Sequence, residues 1–245
     1  MSSPPDESVA ILGIDLAWGE KNPDGFTILE FSGGLENPPT HMETVLTRGD
    51  DELFGKTKPF TICDRVMVAI DAPTICRNEE GSRPVDQECT REYRRYEAGC
   101  HPVNRRLCAR PFRVAQRFEE EGFVLTTDPG TPRFVSEVYP HPATIRLFGL
   151  EKTIKYKKGK VAQKRAEFSR YQDYLAEFLA EEMPWLADSG PHCQLLSLPW
   201  TKNIEDQVDS ILCAAIAYRH LKYHGEKSEV LGDDLDGHML IPRSA

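Results

Sequence analysis

The sequence predicts a single α/β domain, a mixed sheet flanked by helices with a basic helical insertion at about residues 76–130. Two observations predict the sheet. Val9-Ala-Ile-Leu-Gly-Ile-Asp15 and Arg65-Val-Met-Val-Ala-Ile-Asp71 are continuous apolar runs of strand length, the pattern of strands buried on both faces. Arg133-Phe-Val-Ser-Glu-Val138 adds a third core strand by its period-two alternation and its stop at Pro140 and Pro142. A third observation predicts the covering helices: Phe168, Tyr171, Leu175, Phe178 and Leu179 recur at helical spacing between about Ala166 and Glu182, and a last long helix runs from about Ile204 to Tyr223.

The remaining elements follow in chain order. Met1 to Ser8 is rich in Ser, Pro and acid and reads as a disordered tail, leaving residues 9–245 as the domain. After the first strand, Asp24-Gly25 turns the chain into Phe26–Phe31, and Thr44 to Leu46 supplies a further strand, so the early strands form an antiparallel meander. A short polar helix near Asp50 to Gly55 leads into the second long apolar run. The insertion holds a helix near Asp86 to Tyr96 and a turn at Gly99 to Asn104; a basic linker spans Lys152 to Lys164, and the tail from Glu229 to Ile241 is acidic.

Composition narrows the function classes. At 245 residues, 40% hydrophobic and 28% charged, the chain can bury a large core. No apolar run approaches the roughly 18 to 20 residues that cross a bilayer, and the N-terminus lacks the basic start of a secretory signal, so the expectation is no membrane partner and a cytoplasmic location. Seven cysteines without a Cys-x-x-Cys point to reduced, structural thiols. The net charge of −9 excludes a protein that coats nucleic acid with its whole surface but not one with local basic patches. Nothing in the chain signals an oligomeric state.

Five carboxylates carry the chemical argument. Asp15 and Asp71 close buried strands, where an unpaired ion costs several kcal/mol, and each is either a turn cap or a ligand. Open α/β sheets place ligands beyond the carboxyl ends of their strands, and Glu137 joins the pair if its strand lies alongside. Asp206 and Asp209, three apart on the last helix, share a face with the small residues Cys213 and Ala217, so that face can approach another surface closely. Asp206 is also explained as a first-turn acid behind an Asn203 cap. Two carboxylates about 4 Å apart repel by roughly 4 kcal/mol at an effective dielectric of about 20, so a converging set calls for a hard cation, Mg²⁺ or Mn²⁺, held by Asp15, Asp71, Glu137 and Asp209. Two such ions can hydrolyse a phosphodiester, with all five acids as the catalytic set. The zinc-like spacing of His220 and His224 lies roughly 16 Å along the helix from Asp209 and reads as a surface pair.

Basic and aromatic residues point to the substrate. Eight arginines fall between Arg91 and Arg117 against two glutamates, and Lys152 to Arg170 repeats the bias, which is the footprint of a phosphate-backbone groove or of solvated surface. Arg83, Arg105, Arg106, Lys158 and Arg165 are the candidate phosphate contacts, with Trp18 walling the site. Tyr93, Tyr96, Phe112 and Tyr156 either stack on bases or pack the core. His101 and His141 either shuttle protons or are structural.

Six segments in order carry a family resemblance: Gly13-Ile-Asp15-Leu-Ala-Trp-Gly19, Ile70-Asp71-Ala-Pro73, Arg83-Pro-Val-Asp86, His101-Pro-Val-Asn104, Glu137-Val-Tyr-Pro140 and Asp206-Gln-Val-Asp209-Ser. Together they resemble the predicted RNase H-fold nucleases catalogued as domain of unknown function 429, from about residue 9 to Pro242, with Gly237–Pro242 similar to the closing segment. The resemblance implies an RNase H-like fold and a metal-dependent nuclease acting on DNA or RNA, with Asp15, Asp71, Glu137 and Asp209 at the acidic positions. Ser210 departs from the Ala common there. A small-molecule phosphotransferase or ATPase of the actin-like branch, faintly suggested by Gly19 after Asp15, and a catalytically inactive nucleic-acid-binding module are the alternatives.

Overall fold

The computed structural model describes residues 7–188 and 190–244. A six-stranded mixed sheet has the order β3-β2-β1-β4-β6-β5. Its first half is the antiparallel meander β1 (Val9–Asp15), β2 (Asp24–Phe31) and β3 (His41–Thr47). Its second half is parallel, with β4 (Arg65–Ile70) against β1, β6 (Arg133–Glu137) against β4, and the short β5 (Val124–Leu125) at the edge. β2 begins at Asp24 itself, so the expected Asp24-Gly25 turn is part of the strand. The expected tail at Met1–Ser8 lies outside the described residues up to residue 6; Ser8 is tied to Asp64 by side-chain and backbone hydrogen bonds.

Side-chain alternation divides the core into two layers. Val9 and Ile11 of β1 and Met67 and Ala69 of β4 face α4 (Pro140–Leu147), α5 (Val161–Glu182) and α8 (Lys202–Lys222), the last two separated by the short helices α6 (Pro184–Ala187) and α7 (Gly190–Leu195). Ala10, Leu12 and Ile14, with Val66, Val68 and Val135, face Leu53 and Phe54 of α1 (Gly49–Thr57) and Val114 and Phe118 of α3 (Ala109–Glu120). α2 (Pro84–Tyr93) packs beside the hairpin of β7 (Ser228–Asp233) and β8 (Gly237–Pro242), which is joined to the chain after β6 by the Val138–Leu240 bridge.

The approach of α8 to the meander is made backbone to backbone. A Cβ on Gly13 would stand 2.3 Å from the Ser210 carbonyl oxygen, and one on Gly25 would stand 1.8 Å from that of Asp206. Both distances are far inside contact, so only glycine fits at either position. Ser210 is buried and its Oγ hydrogen-bonds Thr27 at 2.8 Å, a polar tie between helix and sheet.

α4 begins where the sequence suggested only a stop, because Pro140 occupies the first helical turn, where its missing N–H costs nothing. His220 is buried rather than on the surface: it bonds Ser228 Oγ at 2.9 Å and the Thr127 carbonyl at 3.0 Å. The carbonyl can only accept, so Nε2 carries the proton and Nδ1 accepts from the serine. No helix among the described residues is long and apolar enough to cross a membrane. Five of the seven cysteines are buried, and all are free.

Candidate functional site: carboxylates beyond the parallel strands

Strand register brings the acids to one end of the sheet. Ile14 pairs with Ile70, Ile70 with Glu137, and the Asp71 N–H donates to the Ile14 carbonyl at 2.8 Å. Asp15 and Asp71 therefore end adjacent strands in step. Both share the parity of residues on the α8 face. α8 starts at the cap Thr201, whose Oγ1 accepts from the Ile204 N–H, and the glycine contacts then carry Asp206 and Asp209 over the end of β1. Asn203, the cap suggested by sequence, lies inside the helix.

Four carboxylates meet there. Asp209, fully buried, accepts from Tyr156 Oη at 2.8 Å and takes the Lys157 ammonium at 2.8 Å. Lys157 Nζ also lies 3.9 Å from Asp71. Asp206 is held by Lys202 at 2.5 Å, and burial raises its pKa against the pull of that ammonium. As a carboxylate, Asp206 keeps a buried Oδ2 with no hydrogen-bond donor.

The electrostatics follow from this crowding. Burial lifts Asp15 well above the usual carboxylate range; Asp209, Asp71 and Asp206 push it further and Lys157 opposes them. Burial likewise raises Asp71 to about 7, with Lys157 opposing and Asp209 adding. Burial disfavours the Lys157 ammonium, but Asp209, Asp15 and Asp71 around it more than compensate and hold its pKa well above the ordinary lysine value. Burial, followed by repulsion from Lys157, lowers His141 to about 4, so this imidazole is neutral at pH 7.

Glu137, expected as a further ligand, is placed differently. It shares the parity of Val135 and leaves β6 on the face opposite to Asp71. Both of its oxygens accept from the Arg83 guanidinium at 2.7 Å, and one also accepts the Thr74 N–H. Arg83, expected to contact substrate, is fully buried and spends its remaining donors on Asp86 and the Ile75 carbonyl.

The arginine-rich run is also largely internal in its electrostatics. Arg110 is buried, with both terminal nitrogens on Asp24 at 2.7 Å and Nε on Asp50 at 2.9 Å. Arg113 and Arg117 reach Asp50, Glu20 and Asp51, while Arg105 and Arg106 pair with Glu79 and Glu80. Counter-charges distant in sequence thus neutralise much of what read as a basic groove. Arg165 is exposed on α5 and is not at the cavity wall. Tyr93 and Tyr156 are buried and unavailable for stacking.

A cavity of about 440 Å³ opens over the acids. Asp15, Asp71, Asp206, Lys157, Lys158 and Lys202 line its charged part, and Trp18, Pro73, Val103, Tyr139 and Met239 line apolar parts. Glu137, Arg83, His101 and His141 also reach its wall. Lys157 escaped the sequence argument because one lysine in a basic linker looks like its neighbours. Tyr156 read as a stacking or core residue, and its bond to Asp209 joins segments 53 positions apart that no local pattern connects. Among the described residues, no three His, Cys, Asp or Glu side chains stand close enough as placed to hold a metal ion. At the acid cluster, the Lys157 ammonium stands between Asp71 and Asp209.

A family model described as protein of unknown function (DUF429) matches residues 13–236. The chain belongs to the DUF429 family. The match runs from the end of β1 to the β7–β8 turn and so contains every carboxylate of the site. No curated protein and no solved structure matches this DUF429 chain.

Proposed function

We propose that this DUF429 protein is a divalent-metal-dependent phosphodiesterase of RNase H-like type, acting on DNA or RNA. The observation that carries the reading is the convergence of Asp15, Asp71, Asp206 and Asp209 at the ends of two parallel strands and one helix, with ammonium groups as the nearby counter-charges. The antiparallel meander followed by parallel strands, with acids closing the first and fourth and a further pair on the last long helix, supports the RNase H-like assignment.

The chemistry of the donors, though not their present spacing, suits Mg²⁺ or Mn²⁺, and binding would require the acids to close around the ion. All candidate ligands are carboxylate oxygens, and the buried Asp206 Oδ2 lacks a donor. Asp15, Asp71, Asp206 and Asp209 would hold the metal; Glu137, committed to Arg83, would support the wall beside them. When bound, one or two such ions lower the pKa of water and neutralise charge on the phosphoryl oxygens. Tyr156 orients Asp209 and Lys202 orients Asp206, while the Lys157 ammonium, which lies against Asp71 and Asp209, would give up that place to the metal. Lys158 adds a cation at the cavity wall.

The test is incubation of purified protein with single-stranded and structured DNA and RNA in Mn²⁺ or Mg²⁺. Cleavage is expected, falling at least about 100-fold in Asp15→Asn, since loss even of a residue that only supports a metal ligand costs 10- to 100-fold. No cleavage, or equal cleavage by the variant, removes the reading.

A further inference from the structure

We infer that the cavity binds a single nucleotide unit, with its base against Trp18 and its phosphate towards Lys158 and the acids, so that phosphodiester substrates are taken at a strand end. This rests on the proposed phosphodiester chemistry and names its substrate class. Three observations carry it.

The first is size. About 440 Å³ falls within the usual range for one small ligand, roughly 300 to 1,000 Å³. A duplex cannot enter such a space with its bases paired, and enzymes that need one nucleotide of a duplex in a pocket must first extrude it. A terminal or unpaired nucleotide enters without that cost.

The second is Trp18. Of the three tryptophans, Trp185 packs edge-on against Phe31 and Tyr218, and Trp200 lies under the Lys164 ammonium and donates to Glu205. Trp18 is 43% exposed at the cavity wall, and among the described residues no ring or cation covers its face. A planar, uncovered aromatic surface beside a phosphate-competent site is a stacking platform for a nucleobase. Val103, Tyr139 and Met239 complete apolar walls that a sugar or phosphate alone would not need.

The third is Lys158. Lys157 and Lys202 are engaged by acids, but Lys158 is exposed at the same cavity and forms no ion pair among the described residues. It is placed to receive an anionic oxygen that the acids themselves would repel.

Binding of AMP, of ribose 5-phosphate, and of a linear and a covalently closed circular single strand of the same sequence to the full chain would be measured by calorimetry, a readout that does not depend on Trp18 as the reporter. Support is binding of AMP at least about tenfold tighter than of ribose 5-phosphate, a loss of about tenfold or more in Trp18→Ala with retention in Trp18→Phe, and preference for the linear over the circular strand. Equal affinity for AMP and ribose 5-phosphate overturns the base site. Equal binding and cleavage of linear and circular strands overturns the strand-end assignment. If Trp18→Ala fails to fold, the two ligand comparisons on the unmodified chain still decide the matter.

Hydrolysis of bis(p-nitrophenyl) phosphate in Mn²⁺ separates the two levels. Hydrolysis without AMP binding overturns this inference and leaves the phosphodiesterase reading. AMP binding dependent on Trp18, without hydrolysis of any diester, removes that reading and supports a nucleotide site.

Discussion

Asp24 and Glu137 leave the sheet on the side of Phe26 and Val135, and each ends in the fork of one buried arginine. Asp15 and Asp71 leave on the α8 side, join Asp206 and Asp209, and have lysines as counter-charges. On the first side the pairing is bidentate and closed, at 2.7 Å to both oxygens of each acid. On the second side one flexible ammonium lies near two acids; Asp206 Oδ2 accepts no hydrogen bond, and Asp209 Oδ2 has only that ammonium beside it. The planar guanidinium saturates a carboxylate, whereas a lysine is a point charge that can move off it. The difference separates acids that hold the fold together from acids able to take a ligand.

The largest expected effect breaks the closed side. Arg83→Met strands Glu137 and Asp86 in the interior, and removing one partner of a buried pair costs about 3–5 kcal/mol. Urea unfolding would measure it; a loss below about 1 kcal/mol would show that the fork is not structural. Next comes acid sensitivity. His220 is neutral and buried, and burial lowers its pKa to about 4. Its folded value lies below the unfolded value of about 6.5, so its contribution is fully present above pH 6.5 and is lost as pH falls from there towards 4. Wild type should lose up to about 3 kcal/mol more than His220→Asn over that window, by denaturant titration at each pH. Parallel curves would refute the assignment.

Gly25→Ala sharpens the comparison by forcing β2 and α8 apart at Asp206. Overpacking of this kind costs about 1–3 kcal/mol, and Mn²⁺ binding by calorimetry should weaken with it. Unchanged metal affinity would mean that the α8 acids are not ligands. The smallest effect concerns the open side. Lys157→Met removes the ammonium competing for Asp71 and Asp209, so Mn²⁺ should bind about tenfold tighter. Weaker binding would make Lys157 a support of the site instead of its occupant.

Much of this was legible in the sequence where one segment decides the outcome. The apolar runs ending at Asp15 and Asp71 state both strand and acid, and the small residues on the Asp206/Asp209 face indicate the close approach that Gly13 and Gly25 permit. What depends on two distant segments was not legible. Glu137 lies 54 positions from Arg83, and its facing follows from the register of β6 on β4, which no local pattern specifies. The arginine run looked like a groove because its neutralising acids, Glu20, Asp24, Asp50 and Asp51, belong to other elements. α3 was hidden by the same arginines, and the β7–β8 hairpin by the acids that decorate it.

Because α8 rests on the meander through main-chain atoms at Gly13 and Gly25, the spacing between the strand-end acids and the helix acids does not depend on which side chains fill the core. Substitutions among Val9, Ile11 or Ile211 can change stability while leaving the four carboxylates at nearly the same separations. The site's geometry is in this sense insulated from drift in the hydrophobic interior, and its vulnerability is concentrated at two positions that carry no side chain at all.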